Sequence, residues 1–404
     1  MPAISGIDWA AEWNDILIAD AASGEPLAER RFAHDEAGVS ALIELLLAHR
    51  VERVAIERPE GLLVGRLLAA GLRVIAIHPN QVKAARERFR AAAGKSDRFD
   101  AFVLCELART DSHRFAALAP SGDETIALKA LVRTREDLVA VRVHLANQLR
   151  AQLDASWPGA RRIFADVDSQ IALAFLERYP SPQDARSLGP KRLQGFLARH
   201  AYCGRRPLHE LLERLRSAPT AALGELETEA RRAAVLGLVA ALQPIVEQIS
   251  QLTSQIAGAV RAHPDGPIFL SFFKDPKSVV TAAGLLAEIG DNRARYPSAD
   301  ALAADAGQAP VAKQSGKRSH ATFRWACDKR LRNHLGTLAD STRHWHPWAS
   351  QTYHRATARG CEHPHATRIL GRAWSRVLWR CWQDRAVYDP AKHGNLARLL
   401  QTEG

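Results

Sequence analysis

Several things are scarce in this 404-residue sequence. Its five cysteines, Cys105, Cys203, Cys327, Cys361 and Cys381, are odd in number, scattered and never spaced Cys-x-x-Cys, which argues against a disulfide framework or a zinc ribbon. No basic leader opens the chain and its apolar runs are short or broken by charge, so no signal peptide or membrane span is expected, and the expected location is the cytoplasm. Acidic residues are thin in one region. Residues 306–404 hold 6 Asp+Glu against 17 Lys+Arg, whereas 1–120 hold 17 against 15 and 121–305 hold 21 against 23. Nearly all of the net charge of +11 therefore lies in the last stretch, and such a local excess suits a polyanion, most simply nucleic acid.

What is present begins with a soluble globular composition, 47% apolar and 25% charged, in a chain long enough for two or three domains. Ile4–Ala10, Asp15–Ala21 and Pro26–Ala33 read as three strands joined by short turns, an antiparallel meander. A helix over 36–50 follows, with Val39, Leu42, Ile43, Leu46 and Leu47 on one face. Val51–Glu57 is a fourth strand, stopped by Pro59. A helix near 60–70, a strand at 73–77, a helix near 80–93 and a helix from Asp97 to about Arg109 complete the segment. Three meander strands followed by alternating helix and strand is the order of a ribonuclease-H-like α/β domain, placed at 1–115.

Four acids stand out in this segment. In Lys95-Ser-Asp97-Arg-Phe-Asp100-Ala101, two aspartates three apart leave one face of a first helical turn. Alone, that pattern serves equally as a cap and a favourable contact with the helix macrodipole. Asp8 and Glu57, however, lie at strand positions, where acids are uncommon. In the expected fold the first and fourth strands are neighbours and the last helix crosses them, so the four carboxylates converge. Their mutual repulsion calls for cations, and oxygen-only ligands select Mg²⁺, with Mn²⁺ as a substitute. Two such ions would activate an attacking oxygen and stabilise a leaving one in phosphodiester cleavage.

The middle of the chain reads as two long helices, from Glu124 to about Trp157 and from about Glu225 to Val260, each with an apolar stripe. An antiparallel coiled coil over 121–262 is expected, with a loop-rich insertion at about 158–224 and a surface for self-association. Pro244 lies inside the second pattern. The third region, 268–404, reads as mainly helical. It contains a helix over 278–290, a short helix from Ser298 to Gly307, and a polar loop with Ser315 between Lys313 and Lys317/Arg318. A serine beside glycine is ordinarily a turn residue, but adjacent cations would hold a scissile phosphate. No base is evident in that loop to activate the hydroxyl. Six of the nine tryptophans lie between Ala321 and Tyr388. Trp374, Leu378 and Trp382 fall at core spacing, while Trp345 and Trp348 are better placed for base stacking. Cys361, His363 and His365 are metal ligands by type but not by spacing.

Taken in order, G-I-D-W-A around Asp8, A-I-E-R-P around Glu57, K-S-D-R-F-D-A around Asp97 and Asp100, T-A-A-G-L-L-A-E-I-G-D, and A-G-Q-A-P-V-A-K-Q-S-G-K around Ser315 resemble the IS-one-ten insertion-sequence family of DEDD transposases over nearly the full length. The resemblance implies a ribonuclease-H-like (RuvC-like) catalytic domain, a coiled coil and a C-terminal transposase domain. It implies that Asp8, Glu57, Asp97 and Asp100 bind Mg²⁺ and that Ser315 forms a covalent phosphoserine link to DNA. It also implies oligomers, dimer or tetramer, whose sites join the acids of one subunit to the serine of another, and a structured guide RNA that directs them to donor and target DNA. The stretch before Ser278 lacks the family's glycine-bearing hairpin, and the 158–224 insertion is longer than a plain coiled-coil link needs. Three other readings remain at this level: a metal-dependent junction nuclease using water, a catalytically idle nucleic-acid binder, and a sugar kinase, the last disfavoured by the lack of a further glycine-rich phosphate loop and by the basic C-terminal region.

Overall fold

The computed structural model describes residues 2–89, 96–219, 221–275, 278–315 and 318–403. The chain divides into two compact units, one made of residues 1–122 with 292–297, the other of 123–291 with 298–404. The first holds β1 (Ala3–Trp9), β2 (Trp13–Asp20), β3 (Pro26–Ala33), α1 (Glu36–Ala48), β4 (Val51–Ile56), α2 (Leu62–Ala69), β5 (Val74–Ala76), α3 (Pro79–Phe89) and α4 (Asp97–Thr110). Its five strands lie in the order β3-β2-β1-β4-β5. The meander β1–β2–β3 is antiparallel, and β4 and β5 join parallel to β1 through the crossovers α1 and α2.

Alternation sorts the strand side chains onto two faces. Ala3, Ile7, Ile16, Ile18, Val54 and Ile56 pack with α1 and α2, whose buried stripes are Val39, Leu42 and Leu46, and Leu63, Val64 and Leu67. Residues of the opposite parity, Ile4, Leu17, Ala19 and Ala55, pack against Ala101, Val103, Leu104 and Cys105 of α4 and, with Ile75, Ile77 and Val82, extend to α3. The second face carries the chemistry, because Asp8, Asp15 and Glu57 share its parity.

The second unit is mainly helical. It comprises α5 (Asp123–Ser156), α6 (Pro158–Arg162), α7 (Gln170–Arg178), α8 (Pro190–Arg199), α9 (Leu208–Arg216), α10 (Glu225–Ala262), α11 (Gly266–Leu270), α12 (Val279–Ile289), α13 (Ala299–Asp305), β6 (Val311–Ser315), β7 (Arg318–Thr322), α14 (Lys329–Thr342), α15 (Pro347–Ala358), α16 (His363–Gln383) and α17 (Gly394–Glu403). The two long helices run antiparallel. Hydrogen bonds link Thr125 with His263, Arg135 with Thr253 and Arg231 with Gln152, so the partner's number falls as the helix advances. α10 continues through Pro244. By length and composition alone it could also cross a membrane, but Val239, Leu242, Ile249 and Ile256 are buried along it. The insertion folds as α6–α9 and buries Phe164, Phe175, Phe196 and Leu211 in one core with the flanking ends of α5 and α10.

The apolar run before Gly290 forms α12, which ends at Gly290 with φ 84°, a left-handed stop that suits glycine. The Gly290 carbonyl accepts from the Trp382 indole at 3.0 Å, and the Trp374 indole donates to Thr342 Oγ1 at 2.8 Å. Both tryptophans are fully buried, as their spacing predicts. Trp348 corrects the stacking expectation: it is buried, packed edge-on to Trp374 at 5.0 Å, and Trp345 stands at the margin of the same cluster. His346 lies inside the cluster, bonded to the Tyr388 hydroxyl at 2.8 Å, and burial followed by the neighbouring His393 pushes its imidazole down to about 4.

Candidate active site

Asp8 is the next-to-last residue of β1, directly opposite Asp15 on β2, which in turn faces Arg31 on β3. On its other side β1 pairs Ile7 with Ile56, so Glu57, just past the end of β4, sits beside Asp8. α4 supplies the other two acids and lies close over the strand because residue 6 is glycine. A β-carbon there would meet the Ala101 carbonyl at 2.1 Å and the Cys105 amide at 2.3 Å. Ser96 caps α4 by accepting from the Phe99 amide at 3.2 Å, which leaves Asp97 and Asp100 free of a capping role.

The electrostatics centre on Asp8. Burial, followed by the charges of Asp100, Glu57, Asp97 and Asp15, raises its carboxyl to about 7. Five acids thus act on one small region, and two arginines partly answer them. Arg86, on α3, donates through Nε and Nη2 to Asp100 at 2.5 and 2.6 Å and lies 3.6 Å from Glu57. Arg31 forks onto Asp15 at 2.8–3.1 Å and reaches Asp97 at 3.3 Å. Asp100 is 2% exposed and Asp97 56%. Among the described residues no three His, Cys, Asp or Glu side chains are gathered into a ready metal cage, and Arg86 stands where the carboxylates would otherwise close together. The four acids read from the sequence do share one face and one electrostatic neighbourhood. Neither Arg86 nor the Asp15–Arg31 pair was legible there. Arg86 is one of several basic residues on α3 and resembles a solvated charge, and Asp15 gains meaning only from the register that sets it against Asp8. Arg98, between the two aspartates of α4, pairs with Glu29.

Ser315 is in the second unit, at the end of β6 rather than in a loop, which corrects the sequence reading. The hairpin register pairs Ser315 with Arg318, Gln314 with Ser319 and Lys313 with His320. Directly opposed residues, and those two apart, project to one side of a hairpin, so Lys313, Ser315 and His320 share a face. Lys313 and Ser315 are exposed on β6; Lys317 lies outside the described residues. His320 is the group the sequence reading missed. Period-two alternation along the second strand of the hairpin would have found it. Cys361, His363 and His365 do not form a metal site among the described residues; His363 instead bonds the Tyr353 hydroxyl at 2.9 Å.

Comparison with known proteins adds an independent line. Residues 5–158 match a DEDD-type IS110 family model described as a transposase, and residues 278–354 match one described as "Transposase IS116/IS110/IS902 family". The chain is 33% identical to the mini-circle putative transposase for IS117 of Streptomyces coelicolor, over 98% of this chain and 97% of that protein. It is 30% identical to the insertion element IS900 uncharacterized 42 kDa protein of Mycobacterium paratuberculosis, over 96% and 98%, and 29% identical to the IS116 uncharacterized 44.8 kDa protein of Streptomyces clavuligerus, over 96% of each.

Proposed function

Because the chain belongs to the IS110 family of insertion-sequence transposases, which are DNA-transfer enzymes, we propose that it cuts and rejoins DNA using a divalent metal held by Asp8, Glu57, Asp97 and Asp100 and a serine nucleophile, Ser315. The strand order β3-β2-β1-β4-β5 supports a ribonuclease-H-like reading of the first unit, and the antiparallel α5–α10 pair supports a coiled coil in the second.

The observation that carries the reading is the placement of Asp8, Glu57 and the two acids of α4 in one neighbourhood, where burial and the four acids around it raise the Asp8 carboxyl to about 7. A site in which five carboxylates face two arginines, and whose donors are all hard oxygens, fits the divalent ion that the DEDD family implies, Mg²⁺ with Mn²⁺ as alternative. When bound, such an ion supplies Lewis-acid stabilisation to the attacking and leaving oxygens of a phosphodiester. Arg86 holds Asp100 and faces Glu57, and it must move off these carboxylates before they can serve as ligands.

The remaining chemistry falls to the hairpin. Ser315 Oγ bonds to the phosphorus as one strand P–O bond breaks; the serine proton passes to a base, for which His320 is the candidate on that face, and the departing strand oxygen is protonated. Lys313, Lys317 and Arg318 hold the phosphate. Attack by a strand hydroxyl on the phosphoserine then reforms a phosphodiester and returns the serine. On the family pattern the acids of one subunit act with the serine of another, which makes the working form a dimer or tetramer, directed to donor and target DNA by a structured guide RNA.

The test incubates the protein with Mg²⁺, its co-purified RNA and labelled DNA spanning the element junction, and scores a protein–DNA adduct that survives denaturation. The adduct is expected with the wild type and is lost in Ser315→Ala and in Asp97→Ala. Cleaved DNA without an adduct, unchanged by Ser315→Ala, would favour a nuclease that uses water and overturn the serine reading.

A further inference from the structure

A cleft of about 370 Å³ opens at the root of the β6–β7 hairpin, entirely within the second unit. Gln308 and Pro310 lead into β6 on one wall, Phe323 and Arg324 leave β7 on another, and Arg368 and Arg372 of α16 form the floor. No carboxylate lines it. The Phe323 ring is covered by two guanidinium groups, Arg368 at 5.0 Å and Arg332 at 5.5 Å, and among the described residues neither makes an ion pair. Arg372 reaches one acid, Asp300, at 3.3 Å outside the cleft lining; Arg368 and Arg332 are held side by side without acids, which leaves their counter-charge to a ligand.

Two further features say what kind of ligand. Gln308 is 5% exposed and its Oε1 has no hydrogen-bond partner; the Nε of Arg372 is likewise buried and unpaired. Gly371 leaves the Gln308 amide room, since a β-carbon there would come within 2.5 Å of Oε1. The terminal amide torsion is soft, so the acceptor can turn into the cleft. Beside Phe323, edge-on at 4.7 Å, stands Trp325, 79% exposed and the most exposed tryptophan among the described residues. The exposed Trp325 indole, an unused acceptor and neighbouring guanidinium groups match the three parts of a nucleotide: base face, base N–H and phosphate. The N–H groups on a Watson–Crick edge are free only when the base is unpaired.

We propose that this cleft and Trp325 take one unpaired nucleotide of the DNA strand whose neighbouring phosphate is presented to Ser315. The base lies on the exposed face of Trp325 and donates to Gln308 Oε1, and Arg324, Arg368 and Arg372 meet the phosphate. DNA is favoured over RNA because the cleft walls continue directly into the two strands that carry Ser315 and Arg318. In that choice the inference rests on the strand-transfer reading, but its test does not.

Binding is measured without divalent metal, by fluorescence anisotropy of the full-length protein with labelled probes of about ten nucleotides: single-stranded DNA, the same strand with abasic sites, its duplex, and the RNA equivalent. Trp325→Ala should weaken binding of intact single-stranded DNA about five- to tenfold and leave the abasic strand within twofold. Arg368→Gln with Arg372→Gln should weaken both single strands and reduce the salt slope by about 1.4. Because Trp325 is exposed and supports no core, its loss separates a binding effect from misfolding. Equal losses on abasic, duplex and intact DNA would reduce the cleft to a general basic surface and overturn the proposal, as would a loss confined to RNA or no loss at all. Failure of the adduct assay with these losses intact would overturn the serine mechanism and leave the nucleotide site standing.

Discussion

Gly6→Ala is a severe test of the acid site, because it alters no charge and no proposed ligand. The new methyl would stand 2.1 Å from the Ala101 carbonyl and 2.3 Å from the Cys105 amide, both backbone atoms of α4 that no side-chain rotation can move. An ordinary contact begins at 3.4 Å, so α4 must retreat by about 1.3 Å, carrying Asp97 and Asp100 with it. Overpacking of this kind costs about 1–3 kcal/mol, and the rigid neighbour argues for the upper end. Displacing reactive groups by about 1 Å costs roughly a hundredfold in rate, so metal-dependent strand cleavage should fall by about 10² or more. The assay pairs cleavage rates with thermal unfolding. Gly65→Ala in α2 is the control: its β-carbon meets nothing within 4 Å, and the change should add about 0.5–1 kcal/mol. Wild-type cleavage by a folded Gly6→Ala protein would show that the placement of α4 over β1 does not set the geometry of the site.

Two other predictions concern charge. Asp8 has a folded-state pKa raised to about 7 from 3.8, so its contribution lowers stability as pH rises from about 4 to 7 and is constant above. Without divalent metal, Asp8→Asn should match the wild type at pH 4 and exceed it by about 2 kcal/mol at pH 8, a value halved for partial solvent screening; denaturant titrations giving an equal difference at both pH values would refute this. Glu288, fully buried in α12, accepts from Arg133 at 2.8 Å through both oxygens and lies 3.6 Å from Lys129. Glu288→Gln should cost about 1–3 kcal/mol by weakening the hydrogen bonds of two partly buried cations, whereas a loss under about 0.5 kcal/mol in denaturant unfolding would show that those cations find other partners.

The first unit was legible to within a few residues because β1, β2 and β4 are short apolar runs buried on both faces and α1 and α4 carry apolar stripes. Side-chain alternation put Asp8 and Glu57 on the face covered by α4, so the acid site followed from parity and strand order alone. The cations in that site did not. Arg86 belongs to a run of basic residues on α3, and only tertiary packing singles out the one that turns inward. The hairpin of Ser315 was hidden for another reason. Lys313-Gln-Ser315 has no β-branched or aromatic residue, so local preference gave no strand signal and pairing with Arg318–Thr322 supplied it. Trp348 was misread because a single turn of His344-Trp-His-Pro-Trp gives no period by which to tell a buried ring from an exposed one.

The first unit includes residues 292–297 as well as 1–122, so the ribosome builds it in two instalments. About 170 residues separate the two parts, which at ordinary synthesis rates is roughly 10–30 s of translation. The sheet and all four acids emerge early, yet the unit that carries them is completed only shortly before the hairpin with Ser315 is made. Each newborn molecule therefore passes through an interval in which it has all four acids and not yet Ser315, and a chain cut short there would hold the acid site without the proposed nucleophile.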